Sequence, residues 1–174
     1  MKAHSLLGRI CTACSTRQLD DPVFGHMRRR RGCCWETDTP LPDQPEPVLV
    51  DVFSPDSGPS EAQRAMFTHL CGHFCQLKSS MQEPLFDKYR RIREMFHAHY
   101  LHKPFEPEFD SDFPGITSPA EIWSIVQLRR IDLYGRGDHE IVLDHAVRWE
   151  NDHHLDVALR DWQVVDVAMD SRDG

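Results

Sequence analysis

No stretch of the 174 residues approaches the roughly 18 consecutive apolar residues that a membrane-spanning helix needs. The opening Met1–Arg9 carries charge but only two strongly apolar residues, Leu6 and Leu7, so no secretory signal is expected. Glycine is scarce, nine residues without a collagen-like period. There is no phosphate-binding glycine loop, no nucleophile elbow and no zinc-protease helix motif. These absences exclude a helical membrane protein and a collagen-like chain, and they leave no complete catalytic constellation. What is present is ordinary globular material: 40% hydrophobic residues can bury a core, 28% charged residues can solvate it, and the length predicts one domain with an extra arm.

Positive charge is short, and unevenly spread. Residues 1–35 hold seven Lys/Arg against two Asp, a net of +5, whereas residues 36–174 hold 13 basic and 26 acidic side chains, a net of −13. An acidic body repels nucleic acid and anionic membranes and speeds encounter with basic surfaces. A nucleic-acid role would rest on Arg28-Arg29-Arg30-Arg31 alone, so neither nucleic acid nor membrane is expected as a partner. Six cysteines without a secretory signal read as reduced cytoplasmic thiols. Cys11 and Cys14 form a CxxC, but adjacent Cys33 and Cys34 make a poor second pair for zinc, because neighbours in a strand point to opposite faces. No metal and no cofactor is expected.

The periodicities predict an α+β fold. Residues 1–20 lack an apolar period and read as a flexible N-terminal arm ahead of a single domain over 21–174. Within it, 21–115 would hold three β segments (a hairpin across Arg31-Gly32, then a strand over Val48–Phe53) and a helical part, and 116–170 a β meander. Two capping-box signals, Ser60-x-x-Gln63 and Ser80-x-x-Glu83, predict two helices. Pro84 would fit the first turn of the second helix, and the short link at 78–80 would make the pair antiparallel neighbours. Ser118-Pro119-Ala120-Glu121 starts a short helix. After it the period changes to two, predicting a separate four-stranded antiparallel meander with Asp132, Arg148, Asp156 and Arg160 on its solvated side.

Two groups of residues stand out chemically. Trp149-Glu150-Asn151-Asp152-His153-His154, expected in a connection between two strands, puts two carboxylates beside two imidazoles, a set able to bind metal or serve as acid and base. It is equally ordinary turn chemistry. A metal-binding protein or metal-dependent enzyme would use Asp152, His153 and His154, completed by Cys11 and Cys14 or by helix histidines such as His69 and His73. The second group is the loop at 104–114, where Glu106, Glu108, Asp110 and Asp112 alternate with Phe105, Phe109 and Phe113. It offers charge for steering and aromatic area for anchoring a partner. Arg136-Gly137-Asp138 reads only as a turn.

The stretch Trp149-Glu150-x-Asp152-His153-His154-Leu155-x-Val157, followed by Asp161-x-Gln163-Val164-Val165, resembles the C-terminal signature of an uncharacterised bacterial domain family. That signature reads Trp, acid, any residue, acid, His, Gly, apolar; here His154 stands in place of the Gly. Asp21-Pro22-x-Phe24-Gly25 with Trp35-Glu36, and Ile116-Thr117-Ser118-Pro119-x-Glu121-Ile122-Trp123, are similar to the family's opening and its linker to the sheet. The resemblance covers about residues 21–170. It brings no established catalytic residues, but it implies an origin among polymorphic-toxin loci, where small acidic proteins neutralise toxins. The expectation is therefore a cytoplasmic, non-enzymatic immunity protein. Its cognate toxin would be met by Glu106, Glu108, Asp110, Asp112, Glu150, Asp152, His153 and His154.

Overall fold

The computed structural model describes residues 17–30, 34–100, 113–134 and 140–170. Eight strands form one sheet in sequence order: β1 Gln18–Asp21, β2 Gly25–Arg29, β3 Trp35–Thr39, β4 Val48–Val52, β5 Val126–Leu133, β6 Ile141–Val147, β7 Glu150–Arg160 and β8 Gln163–Asp170. Every neighbouring pair is antiparallel except β4 and β5, which run parallel with Leu49 opposite Arg130 and Val52 opposite Leu133. A parallel pair needs a long crossover. Here it consists of α1, Glu61–Tyr100, and a 3-10 helix, Pro119–Ser124, joined through residues 101–112, which lie outside those described.

This overturns the α+β arrangement expected from the sequence. There is no three-strand region set apart from a four-stranded meander, because the parallel β4–β5 seam fuses both into one mixed sheet. Nor are there two antiparallel helices among the described residues. Residues 78–84 continue the helix, since Leu77, Met81 and Leu85 are all buried and lie four residues apart on one face. Pro84 inside a helix costs about 3 kcal/mol. Burying a large apolar side chain gains roughly 1.5–3 kcal/mol each, so three in phase outweigh the proline. Ser80 does not cap a new helix. Its hydroxyl donates to the Leu77 carbonyl at 2.8 Å, as serines inside helices do. The one interruption lies earlier, at His73 (φ −123°, ψ 16°), directly after Gly72.

The first capping box forms as expected: the Gln63 amide donates to Ser60 Oγ at 3.2 Å, and Gln63 Oε1 accepts from the Ser60 amide at 2.9 Å. Gln63 does more. Its side-chain amide donates to the carbonyls of Phe53, just past β4, and Leu133, the last residue of β5, so this buried residue clamps the helix start to the carboxyl ends of the parallel pair.

The core lies between α1 and one face of the sheet. Phe67, Leu70, Phe74, Leu77, Met81, Leu85, Tyr89 and Ile92 from the helix join Val50, Val52, Ile131, Leu133, Leu143, Leu155 and Val157 from the strands in one cluster. Trp149, just past β6, belongs to it, 4.9 Å from the Tyr89 ring. At the near end, Asp21 ties the β1–β2 turn to the helix. Its carboxylate accepts from the amides of Val23 at 2.9 Å and Phe24 at 3.2 Å, and from Arg64 at 2.8–2.9 Å. Burial works to raise the Asp21 carboxyl, but Arg64 and the two amides outweigh it and hold it below the usual carboxylate range.

Candidate functional site

Side chains alternate across a strand, so the residues between those core positions share the opposite face of the sheet. The register aligns them in rows. Arg28, Glu36, Asp51, Asp132, Val142, Ala158 and Asp166 stand side by side from β2 to β8. The next row holds Asp38, Leu49, Arg130, Asp144, Asp156 and Ala168. Three acids, Glu36, Asp51 and Asp132, are thus direct cross-strand neighbours, and so are Asp144 and Asp156. Like charges placed this way destabilise a sheet. A face that carries the cost nonetheless is a candidate for binding.

Cations are interleaved to hold the acids in place. Arg30 Nη1 and Arg130 Nε each lie 3.8 Å from Asp51 Oδ2, and Arg28 Nη2 lies 3.1 Å from Glu36 Oε1. His154 Nδ1 lies 3.1 Å from Asp144 Oδ1, and the Tyr134 hydroxyl donates to Asp132 at 3.3 Å. The Tyr134 ring stacks on Phe53 at 4.4 Å and closes the carboxyl end of the seam. Asp51, Asp132 and Asp144 are buried, whereas Asp38 and Asp166 are exposed at the rims. Burial pushes the Asp51 carboxyl up and neighbouring Glu36 adds to it, against the opposing pull of Arg130, Arg30 and the Cys34 thiol. The result is a strand-fixed set of carboxylates, buried at Asp51, Asp132 and Asp144 and open to solvent at Asp38 and Asp166, with arginines interleaved.

The residues singled out in sequence fall unevenly. Glu106, Glu108, Asp110 and Asp112 lie outside the described residues, as do Cys11, Cys14, the Arg31-Gly32 turn and Arg136-Gly137-Asp138. Glu150 and Asp152 belong to β7 by their backbone, and their side chains are outside the description. His153 and His154 are strand residues too, not part of a connecting loop, and His154 joins the acidic face through Asp144. Among the described residues no three His, Cys, Asp or Glu side chains converge as a metal site would require. His69 and His73 stack on each other at 4.0 Å. The acids that sequence reasoning missed are Glu36, Asp38, Asp51, Asp144 and Asp166. Alternation along single strands was their signal, but only the register shows that they stand side by side.

A cleft of about 480 Å³ opens elsewhere, between the loop at 43–45, Lys78, and residues 123–128 and 146–148. The Lys78 ammonium sits 5.2 Å over the Trp123 ring there. Its one hydroxyl, that of Ser124, donates to the Glu121 carbonyl at 2.8 Å.

Among known proteins, a family model described as "Domain of unknown function (DUF6985)" matches residues 23–172. No curated protein and no solved structure matches the chain.

Proposed function

The chain belongs to the DUF6985 family, and on that premise we propose that it is a non-enzymatic bacterial immunity protein of the cytoplasm, neutralising a cognate toxin through its acidic surface. The observation that carries this reading is the acidic sheet face, with carboxylates in register across β3 to β8. Toxins that attack nucleic acid or nucleotides need basic clefts for phosphate, and the exposed carboxylates at the rims of this face, Asp38 and Asp166, can enter such a cleft instead. Carboxylates fixed on strands lose little freedom on docking, which favours tight binding over the same acids on a floppy segment. Arg130 and Arg30 reduce the mutual repulsion of the row while leaving its rims at Asp38 and Asp166 open. The net of −13 over residues 36–174 supplies the long-range attraction.

The test is binding of the purified chain to the protein encoded beside it, with growth of cells expressing that protein as the functional readout. Binding should be salt-sensitive, and the double change Asp38→Lys plus Asp166→Lys should slow association about tenfold at low ionic strength. Failure of the neighbouring product to bind, or to be toxic alone, would remove the toxin pairing. An unchanged association rate in the double variant would move the contact off this face.

A further inference from the structure

β7 and β8 meet in a two-residue hairpin turn, Asp161-Trp162, closed by the Arg160–Gln163 pair. Both turn residues adopt left-handed backbone angles, φ 49° for Asp161 and 63° for Trp162. Such a turn favours Asn-Gly, because a side chain at positive φ collides with its own backbone. Tryptophan is a poor choice for stability there. It is also not hidden: the residue is 36% exposed.

What holds the ring upright is a second irregularity. Trp162 rests on the His69 imidazole with ring centres 4.2 Å apart, and His69 stacks in turn on His73 at 4.0 Å. His73 is the residue at which α1 departs from helical geometry, and its Nδ1–H donates to the His69 carbonyl at 3.0 Å. A strained turn and a helix break thus converge on one exposed indole. Backbone strain of this kind gathers where a side chain must be presented. The turn carries both signs of charge: Arg160 closes it, Asp161 precedes the indole in the chain, and Glu140 Oε2 accepts from the Asp161 amide at 3.4 Å. Residues 100–174 as a whole carry a net of −9, with 16 acidic and 7 basic side chains.

We propose that the Asp161-Trp162 turn is an anchor that grips an arginine or lysine side chain of a basic partner protein, the indole offering its π face and Asp161 and Glu140 offering charge. An indole with nearby carboxylates is a strong receptor for a guanidinium or ammonium group. This rests on the reading of the chain as a binder of basic proteins, and it adds a contact point at the end of the sheet remote from Glu150.

The experiment titrates the full chain with a short peptide of alternating arginine and glycine, followed by calorimetry at low salt. The matching glutamate peptide is the control, and thermal midpoints are recorded alongside. Trp162→Gly should weaken arginine-peptide binding about tenfold, and Trp162→Phe should retain most of it. The glycine variant should melt at or above the wild-type temperature, because glycine enters the left-handed region freely. Equal binding by wild type and Trp162→Gly would overturn the anchor and leave the acidic reading standing. So would a fall in midpoint of more than about 4 °C in the glycine variant, which would make Trp162 a structural staple. Binding of the glutamate peptide as tightly as the arginine one would overturn the assigned chemistry. No binding of the arginine peptide by the wild-type chain would overturn the anchor, while binding of the protein encoded beside the chain decides the acidic reading separately.

Discussion

Acidifying this protein should weaken it through one residue in particular, His145. Its side chain is fully buried in β6, on the core side, with Nδ1–H donating to the Leu155 carbonyl at 3.2 Å and the Trp123 ring 6.1 Å away. Burial pushes its pKa down to about 4 from an ordinary 6.5, against the smaller opposing pull of the Leu155 and Leu143 carbonyls and Asp144. The unfolded chain therefore takes up a proton near pH 6.5, while the folded chain refuses it until about pH 4. Stability from the neutral ring is complete above the higher value, declines as pH falls between the two, and is lost by the lower one. A gap of that size corresponds to roughly 3 kcal/mol, a large share of the 5–15 kcal/mol typical of a whole domain. Urea unfolding of wild type and His145→Leu at several pH values between about 7.5 and 4 isolates this contribution, since both share every other titrating group. Near neutral pH the variant should lie within about 2 kcal/mol of wild type, because it leaves one carbonyl unsatisfied but adds apolar burial. As pH falls the two curves should converge or cross, the wild type losing roughly 3 kcal/mol more than the variant. A wild-type-minus-variant difference that stays constant across the range would refute the reasoning.

Three further perturbations probe the frame. Gln63→Leu keeps the volume but strands the Phe53 and Leu133 carbonyls and breaks the capping box; it should cost about 2–4 kcal/mol in urea unfolding, and a loss under about 0.5 kcal/mol would show that the clamp is idle. Trp149→Ala, in a site packed against Tyr89 and Phe113, should cost about 3–5 kcal/mol, and red-shifted, easily quenched fluorescence from Trp149 in the folded wild type would contradict its burial. Asp21→Ala leaves the amides of Val23 and Phe24 and the Arg64 guanidinium without their acceptor and should cost about 2–4 kcal/mol. Because the folded Asp21 carboxyl is held low, its stabilising effect should be present above the ordinary aspartate range and fade as pH falls below it. A variant with unchanged stability at neutral pH would remove this tie.

Local signals in the sequence translated well into local structure. The Ser60–Gln63 box caps a helix, the run from Val48 forms a strand, and the alternation expected over 128–134 and 163–168 falls in β5, which ends at Leu133, and β8. β1 escaped notice because Gln18-Leu19-Asp20-Asp21 carries one apolar residue, too few to show a period. The second capping signal misled because Ser80-x-x-Glu83-Pro84 reads as a helix start in isolation. Only the buried line Leu77–Met81–Leu85 decides that the helix runs through it. The sheet topology was beyond reach for another reason. The β4–β5 pairing joins Leu49 to Arg130, and no pattern within either strand declares its partner. The acidic face inherits that difficulty. Alternation already placed Asp132 and Asp156 on a polar side, but their proximity to Asp51 and Asp144 depends on pairings between separate strands.

The sheet's order has a kinetic corollary. Each antiparallel strand pair joins neighbours in the chain and can close early by zipping, whereas the parallel seam between β4 and β5 joins residues about 80 apart and must wait for the helical crossover to settle. Native-state hydrogen exchange should then find the weakest cooperative boundary inside the sheet, at the amides bridging β4 and β5, with the β5–β8 ladder protected as a unit of its own. An opening there would part Asp51 from Arg130, so the acidic rows would hold together only as long as the seam does.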